Sequence, residues 1–363
     1  MKVFHCTHCR HIVFFENTQC VSCGYRLAFV PDLGTVVALE QRSNDLWRTE
    51  MRGIGRRRFR LCRNYSEQNI CNWAVPAEDP QSLCASCVLT QVIPNLEIPG
   101  NREAWFKLEA AKRRMLYSLV QLHCPVRSRA EDPQHGLVYQ FLEEESPDKP
   151  VLTGHAHGVI TVNVAEANDA ERERRRLQMR EPYRTLLGHF RHEIGHYYWE
   201  RLVQEGGRTE AFRTVFGDER ADYAAALKSY YDNGPPADWA QHFVSAYATS
   251  HPWEDWAESW AHYLHMADML DTAEDCGLSL TPKRRDEPSL LRARSGAAEP
   301  FERLIADWFP LTYLLNNLNR SMGLPDGYPF VLSTPAIDKL RFVHDTIAGA
   351  ASWPATASGA AGA

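Results

Sequence analysis

Hydrophobic positions change rhythm several times along this chain. From residue 1 to 95 apolar runs are short and broken by turns, with no sustained period. From Asn101, a suitable N-cap, to about His123, the residues Leu108, Ala111, Met115, Leu119 and Leu122 recur at intervals of three and four, which predicts an amphipathic helix. GLVYQFLEEE (136–145) and GVITVNVAEAN (158–168) read as strands, the second with β-branched alternation. The run AERERRRLQMR (170–180) carries both charge signs and predicts a solvated helical face or connection. From Pro182, well placed for a first helical turn, the chain reads as mostly helical. There Leu187, Phe190, Ile194, Tyr198 and Leu202 form one apolar stripe, and Gly206–Gly207 gives a stop. The fold class expected is α+β: a cysteine-rich module over 1–95, a mostly helical domain with a small sheet over 100–350, and a disordered Ala/Gly/Ser tail over 351–363.

Composition narrows the class. Of 363 residues, 44% are hydrophobic and 24% charged, as in ordinary globular proteins. A formal charge of −6 argues against a general nucleic-acid binder. No apolar run approaches the length of a membrane span, and MKVFHCTHC lacks the apolar core of a signal peptide. The expected location is cytoplasmic and the expected partner a peptide or protein; the pattern says nothing of oligomeric state.

Eight of the ten cysteines precede residue 90. Without an export signal, this arrangement favours metal-thiolate sites over disulfides. Cys6, Cys9, Cys20 and Cys23 form CxxC-x10-CxxC, two tight turns that together offer four sulfurs to a structural zinc; iron suits the same tetrahedron as the alternative. Cys62, Cys71, Cys84 and Cys87 form a second set with one CxxC. Four ligands complete a coordination sphere, so neither set should perform hydrolysis. Cys124 and Cys276 are expected as free thiols. MRGIGRRRFRLCR (51–63) places six arginines beside the second set. A basic hairpin surface is the plainer reading, with nucleic acid or an acidic partner as the second; few aromatics interleave to stack on bases.

HFRHEIGHYYWERL (189–202) carries the sharpest chemistry. His192 and His196 stand four apart, on one side of a helix, where two imidazoles can share a zinc ion. Glu193 is off the direct ligand line and can serve as general base, completing HExxH. Gly195, costly inside a helix, implies very close packing there. His189 reads as a surface or supporting histidine. For the third ligand two segments compete: Asp218 with Asp222 in FGDERADYAAAL, and Glu254 with Glu258 in SAYATSHPWEDWAESWAHYLH. In either pair the first acid would ligate and the second would brace a ligating histidine. Glu254 is favoured because Tyr247 precedes it by seven residues and could reach an oxyanion, although Tyr247 reads equally well as core. Asp218 remains the alternative, and Glu258 a further one.

Tyr247, Glu254 and Glu258, within YATSHPWEDWAES, resemble the Y…ExxxE pattern of glutamate-zincins (gluzincins) of the anthrax-lethal-factor kind. HEIGHYYW, FGDERADY and HPWEDWAESWAHYLH, with CNW (71–73) and LNNLNRSMG (315–323), resemble a bacterial family that joins an N-terminal zinc ribbon to a zinc metallopeptidase domain. The resemblance implies a zinc-ribbon module, a zincin-like catalytic domain, and a zinc-dependent peptidase with one catalytic and one or two structural zinc ions. It implies zinc on His192, His196 and Glu254, Glu193 as base and Tyr247 as oxyanion partner. The alternative is a ribbon-based binding or regulatory protein with an inactive zincin core. A zincin also needs an edge strand for substrate, and GVITVNVAEAN, just upstream of the histidine helix, is the expected one, with an ordinary interior strand as the alternative. His155 and His157 before it are assigned no role.

Overall fold

The structure, a computed structural model, describes residues 1–51, 55–144, 149, 151–178 and 184–350. The expected tail, the placement of Pro182 and part of the arginine run lie outside the described residues.

The cysteine-rich region begins with a short antiparallel pair, Phe4–His5 with Ile12–Val13, that brackets the first CxxC turn, and the second CxxC turn follows. An antiparallel meander follows, with strands Arg26–Val30, Thr35–Gln41, Trp47–Met51, Gly55–Leu61 and Ala74–Pro76 lying side by side in chain order. Leu27, Phe29, Val36, Val37 and Phe59 are buried in its core. Arg56, Arg57 and Arg58 stand exposed on strand Gly55–Leu61, whereas Arg60 turns to the carbonyls of Asp79 and Gln81.

The second sheet is small and mixed, in the order Gly154–Ala156, Val159–Asn163, Val138–Leu142, Thr90–Val92. The three longest-separated members run parallel, and only Gly154–Ala156 is antiparallel to its neighbour. Both predicted strands are therefore present, but shorter, because Val164–Ala167 coils into a 3-10 turn capped by Asn163. The expected edge strand is wrong. Val159–Asn163 is paired on both sides, and the edges among the described residues are Thr90–Val92 and the three-residue strand Gly154–Ala156, which carries His155.

The helix Asn101–Gln121 buries Leu108, Ala111, Met115 and Leu119, and the fifth predicted apolar position, Leu122, is buried at its C-cap. Its cap is Gly100, in a left-handed conformation (φ 91°), because the Asn101 side chain is drawn away to the Asn95 carbonyl and Glu143. The histidine helix spans Leu186–Tyr198, is capped by the Thr185 hydroxyl on the Gly188 N–H, and loosens into a π-helical segment, Trp199–Gln204, before the glycine stop. Shorter helices Thr209–Phe216 and Tyr223–Asn233 follow, then the long helices Pro252–Asp275, Phe301–Ser321 and Thr334–Ala350.

The histidine helix and Pro252–Asp275 form the central pair. A Cβ on Gly195 would lie 3.1 Å from the Ala257 Cα and 3.2 Å from Trp260, so glycine permits this approach. Trp256 Nε1 donates to the Gly195 carbonyl at 2.8 Å, and Tyr198 stacks on Trp260 at 4.7 Å. Among the described residues no helix is long and apolar enough to cross a membrane.

Candidate metal centre

His192 and His196 project from the middle of the histidine helix toward the first turn of Pro252–Asp275. That helix is capped by His251, whose Nδ1 accepts from the Trp253 N–H at 3.1 Å, with Pro252 at its first position. The cap fixes Glu254 in the first turn, but Glu254 is fully buried and faces the imidazoles instead of solvent. His192 Nε2 lies 3.0 Å from one Glu254 oxygen and His196 Nε2 3.6 Å from the other. The three donor atoms all fall within 4.8 Å of one another.

Glu258, one turn along, accepts from His192 Nδ1–H at 2.8 Å and from the Ser245 hydroxyl at 2.5 Å. With Nδ1 donating, the Nε2 lone pair points at a carboxylate 3.0 Å away. Either a proton on Nε2 or a metal ion reconciles these two groups, and a set of two imidazoles and a carboxylate fits a metal of the zinc type. Glu193 adds a third carboxylate; burial raises its pKa, while His192 and His196 pull it the other way. A raised glutamate is a better proton acceptor near neutral pH.

Two tyrosines approach this cluster. The Tyr247 ring sits 5.9 Å from the His192 ring, and its hydroxyl has no hydrogen-bond partner among the described residues. Tyr223, not singled out from sequence, donates its hydroxyl to Glu254 Oε1 at 2.6 Å. No local signal marked it, since an exposed tyrosine after a cap residue is common.

Asp218, the alternative third donor, is not at the site. It is exposed and bonded to Arg220 at 2.8 Å, and the arginine holds its carboxyl well below the usual range. Asp222 caps the following helix through the Ala225 N–H at 3.0 Å. His189 pairs with Glu166 at 3.2 Å, away from the donors. His155 is buried with its ring stacked 6.3 Å from His196, and its Nε2 accepts from the Gly158 N–H. Burial pushes its pKa down to about 3, so it is neutral.

The cysteines gather as two quartets, Cys6/Cys9/Cys20/Cys23 and Cys62/Cys71/Cys84/Cys87. Sulfur separations are 3.7 Å for Cys6–Cys23, 3.6 Å for Cys9–Cys20 and 3.6 Å for Cys71–Cys84. A tetrahedron with Zn–S bonds of about 2.3 Å has edges of about 3.8 Å, whereas a disulfide needs about 2.05 Å. The second quartet is fully buried. Cys124 is buried and Cys276 exposed, both free.

A family model described as "Putative zinc-binding metallo-peptidase" matches residues 101–346, and a zinc-ribbon domain model matches residues 3–98. Uncharacterized proteins of two Mycobacterium tuberculosis strains and of Mycobacterium bovis are each 42% identical over 348 residues, which is 96% of this chain and 95% of theirs. No solved structure gives a significant match. Matched over most of its length, the chain belongs to this zinc-binding metallo-peptidase family, with a zinc-ribbon domain in its N-terminal region.

Proposed function

We propose that this protein is a zinc-dependent peptidase of the gluzincin type. The observation that carries the reading is the convergence of His192, His196 and Glu254 within 4.8 Å, with Glu193 beside them. His192, His196 and Glu254 would hold the zinc ion, which would supply Lewis acidity toward a scissile carbonyl and an attacking water. Glu193 takes the proton from that water and returns it to the leaving amine. Tyr247, whose hydroxyl is uncommitted, donates to the developing oxyanion. Glu258 holds His192 in the tautomer that leaves Nε2 free to ligate. The free edge of Gly154–Ala156, which packs beside the histidine helix, offers backbone groups to an extended peptide. The two cysteine quartets would each hold one structural zinc, in the reducing, cytoplasmic setting expected for the chain.

The test is cleavage of a quenched-fluorescent peptide library by the zinc-loaded protein and by Glu193→Gln. Loss of about three orders of magnitude or more in kcat/KM, with metal content unchanged, is expected. Equal rates in the two proteins would remove Glu193 as base.

A further inference from the structure

The helix Tyr223–Asn233 has no fully buried residue, yet it reaches the metal centre at two points. Its half-buried positions Ala226, Leu227 and Tyr230 follow Tyr223 at three, four and seven residues, which is one helical face. At the start of that face the Tyr223 hydroxyl donates to Glu254 Oε1 at 2.6 Å. Two turns later the Tyr230 ring meets Tyr247 edge-on at 5.7 Å. The Tyr223 ring packs 5.1 Å from His251 and 6.0 Å from Trp253. His251 Nε2–H in turn donates to the Ala221 carbonyl at 3.1 Å, so the same histidine caps the acid helix and fastens the start of this one.

We propose that Tyr223 is a positioning residue for the third metal donor, and that through it the helix Tyr223–Asn233 is coupled to occupancy of the metal centre. The inference rests on the metal centre proposed above and deepens it. Glu254 has two oxygens and three groups facing them: Oε2 meets His192 Nε2, while Oε1 takes the Tyr223 hydroxyl and lies 3.6 Å from His196 Nε2. With Oε1 held by a neutral O–H donor, Oε2 is presented toward His192 Nε2, 3.0 Å away, as a single ligand atom. Without that hydroxyl the carboxylate can turn and offer both oxygens, which lengthens each contact and surrenders the open coordination position hydrolysis needs. The two phenols thus divide the work. Tyr223 is committed to the ligand, and Tyr247 is left for substrate. Because Tyr223 and Tyr230 lie on one helix face, a helix that swings out releases Glu254 and uncovers Tyr247 together. Metal binding, which fixes Glu254, therefore holds the helix down by the same free energy with which the helix helps hold the metal.

The experiment uses the full chain with both cysteine quartets loaded. Zinc is titrated against a chromophoric chelator for wild type, Tyr223→Phe and Tyr247→Phe, and the visible spectrum of the cobalt-substituted third site is recorded for each. Phenylalanine keeps the ring contacts with His251 and Trp253 and removes only the donor. Partners that orient metal ligands typically contribute about 10–100-fold to affinity. Tyr223→Phe should bind the third ion with unchanged stoichiometry, about tenfold more weakly, and with an altered cobalt spectrum; Tyr247→Phe should match wild type in both. Amide exchange across residues 223–233 should slow when zinc is added to wild type and slow less in Tyr223→Phe. Equal affinity and identical cobalt spectra in wild type and Tyr223→Phe would overturn the positioning role, and zinc-independent exchange would overturn the coupling to the helix. A wild-type protein that takes up only two ions would instead overturn the metal centre itself.

Discussion

Gly195 shows how one residue can set the geometry of a centre it does not join. It lies between Glu193 and His196, and its missing side chain lets the Ala257 backbone come close enough for Glu254, three residues earlier on the facing helix, to reach both imidazoles. Gly195→Ala would put a methyl 3.1 Å from a Cα that cannot yield without moving the helix. The expected cost is about 1–3 kcal/mol, read as a lower urea midpoint, together with weaker zinc binding. If metal affinity falls with no loss of stability, the close approach is not what the glycine serves. Glu258→Gln tests a different kind of support. A neutral amide can still accept from His192 Nδ1–H but loses the charge, so affinity for zinc should drop about tenfold while the fold is kept, as measured by chelator competition and circular dichroism. At this scale the sequence was informative where chemistry is local. The spacing of His192 and His196 follows from helical geometry alone, and the glycine advertised its own packing. Tyr247 already favoured Glu254 over Asp218 in the sequence, but only the facing of the two helices shows which acid lies at the imidazoles. Tyr223 was invisible because its partner is 31 residues away.

Elements were legible by period but not by neighbour. The apolar stripe of Asn101–Gln121 and the alternation of Val159–Asn163 were enough to name a helix and a strand. Which strand lies at the edge depends on sheet order, and no local pattern could show that Gly154–Ala156 folds back antiparallel outside Val159–Asn163. The long helix Pro252–Asp275 carries a further consequence. His262, one turn beyond Glu258, is buried, accepts from the Tyr328 hydroxyl at 2.9 Å through Nδ1, and has its pKa pushed down to about 4 by burial, against the opposing pull of Glu258. An unfolded histidine titrates near 6.5, so between about 6.5 and 4 the unfolded chain binds the extra proton. Stability from this group is full above 6.5 and is lost as pH falls toward 4, by up to about 3 kcal/mol. Urea unfolding of wild type and His262→Gln across that range should show a steeper decline in wild type. Parallel pH profiles would mean that His262 is already charged in the fold.

At the scale of the whole molecule, the cysteine-rich region and the helical region share one interior. Phe4, Phe15 and Phe29 each set a ring against Tyr117, at 6.0, 5.5 and 5.8 Å, and Tyr117 belongs to the helix that packs on the histidine helix. Strand Thr90–Val92 leaves the ribbon side and is laid into the second sheet against Val138–Leu142. Arg113 on the same helix is buried. Burial opposes its charge, but the nearby Cys71, Glu109, Cys87 and Cys84 more than offset that, and its ion-pair partner is Glu109 at 3.7 Å. Covalent order along the chain suggested two modules, and the boundary near residue 95 is reasonable by composition, yet contacts across it could not be read from either side. Residues 101–350 alone would leave the faces around Tyr117 open to water, strip Val138–Leu142 of a neighbour, and leave Arg113 and Lys112 with Glu109 as their one buried counter-charge. That fragment should therefore aggregate or lack near-ultraviolet dichroism, whereas the full chain, loaded with zinc, should unfold in one transition. In Cys84→Ser, which breaks the buried quartet while leaving the first intact, exchange protection should fall along Asn101–Gln121 as well as around residues 62–87. Protection unchanged on the helix, or a soluble and cooperatively folded 101–350 fragment, would show that the ribbon is an appendage and that the shared interior does not hold the peptidase region together.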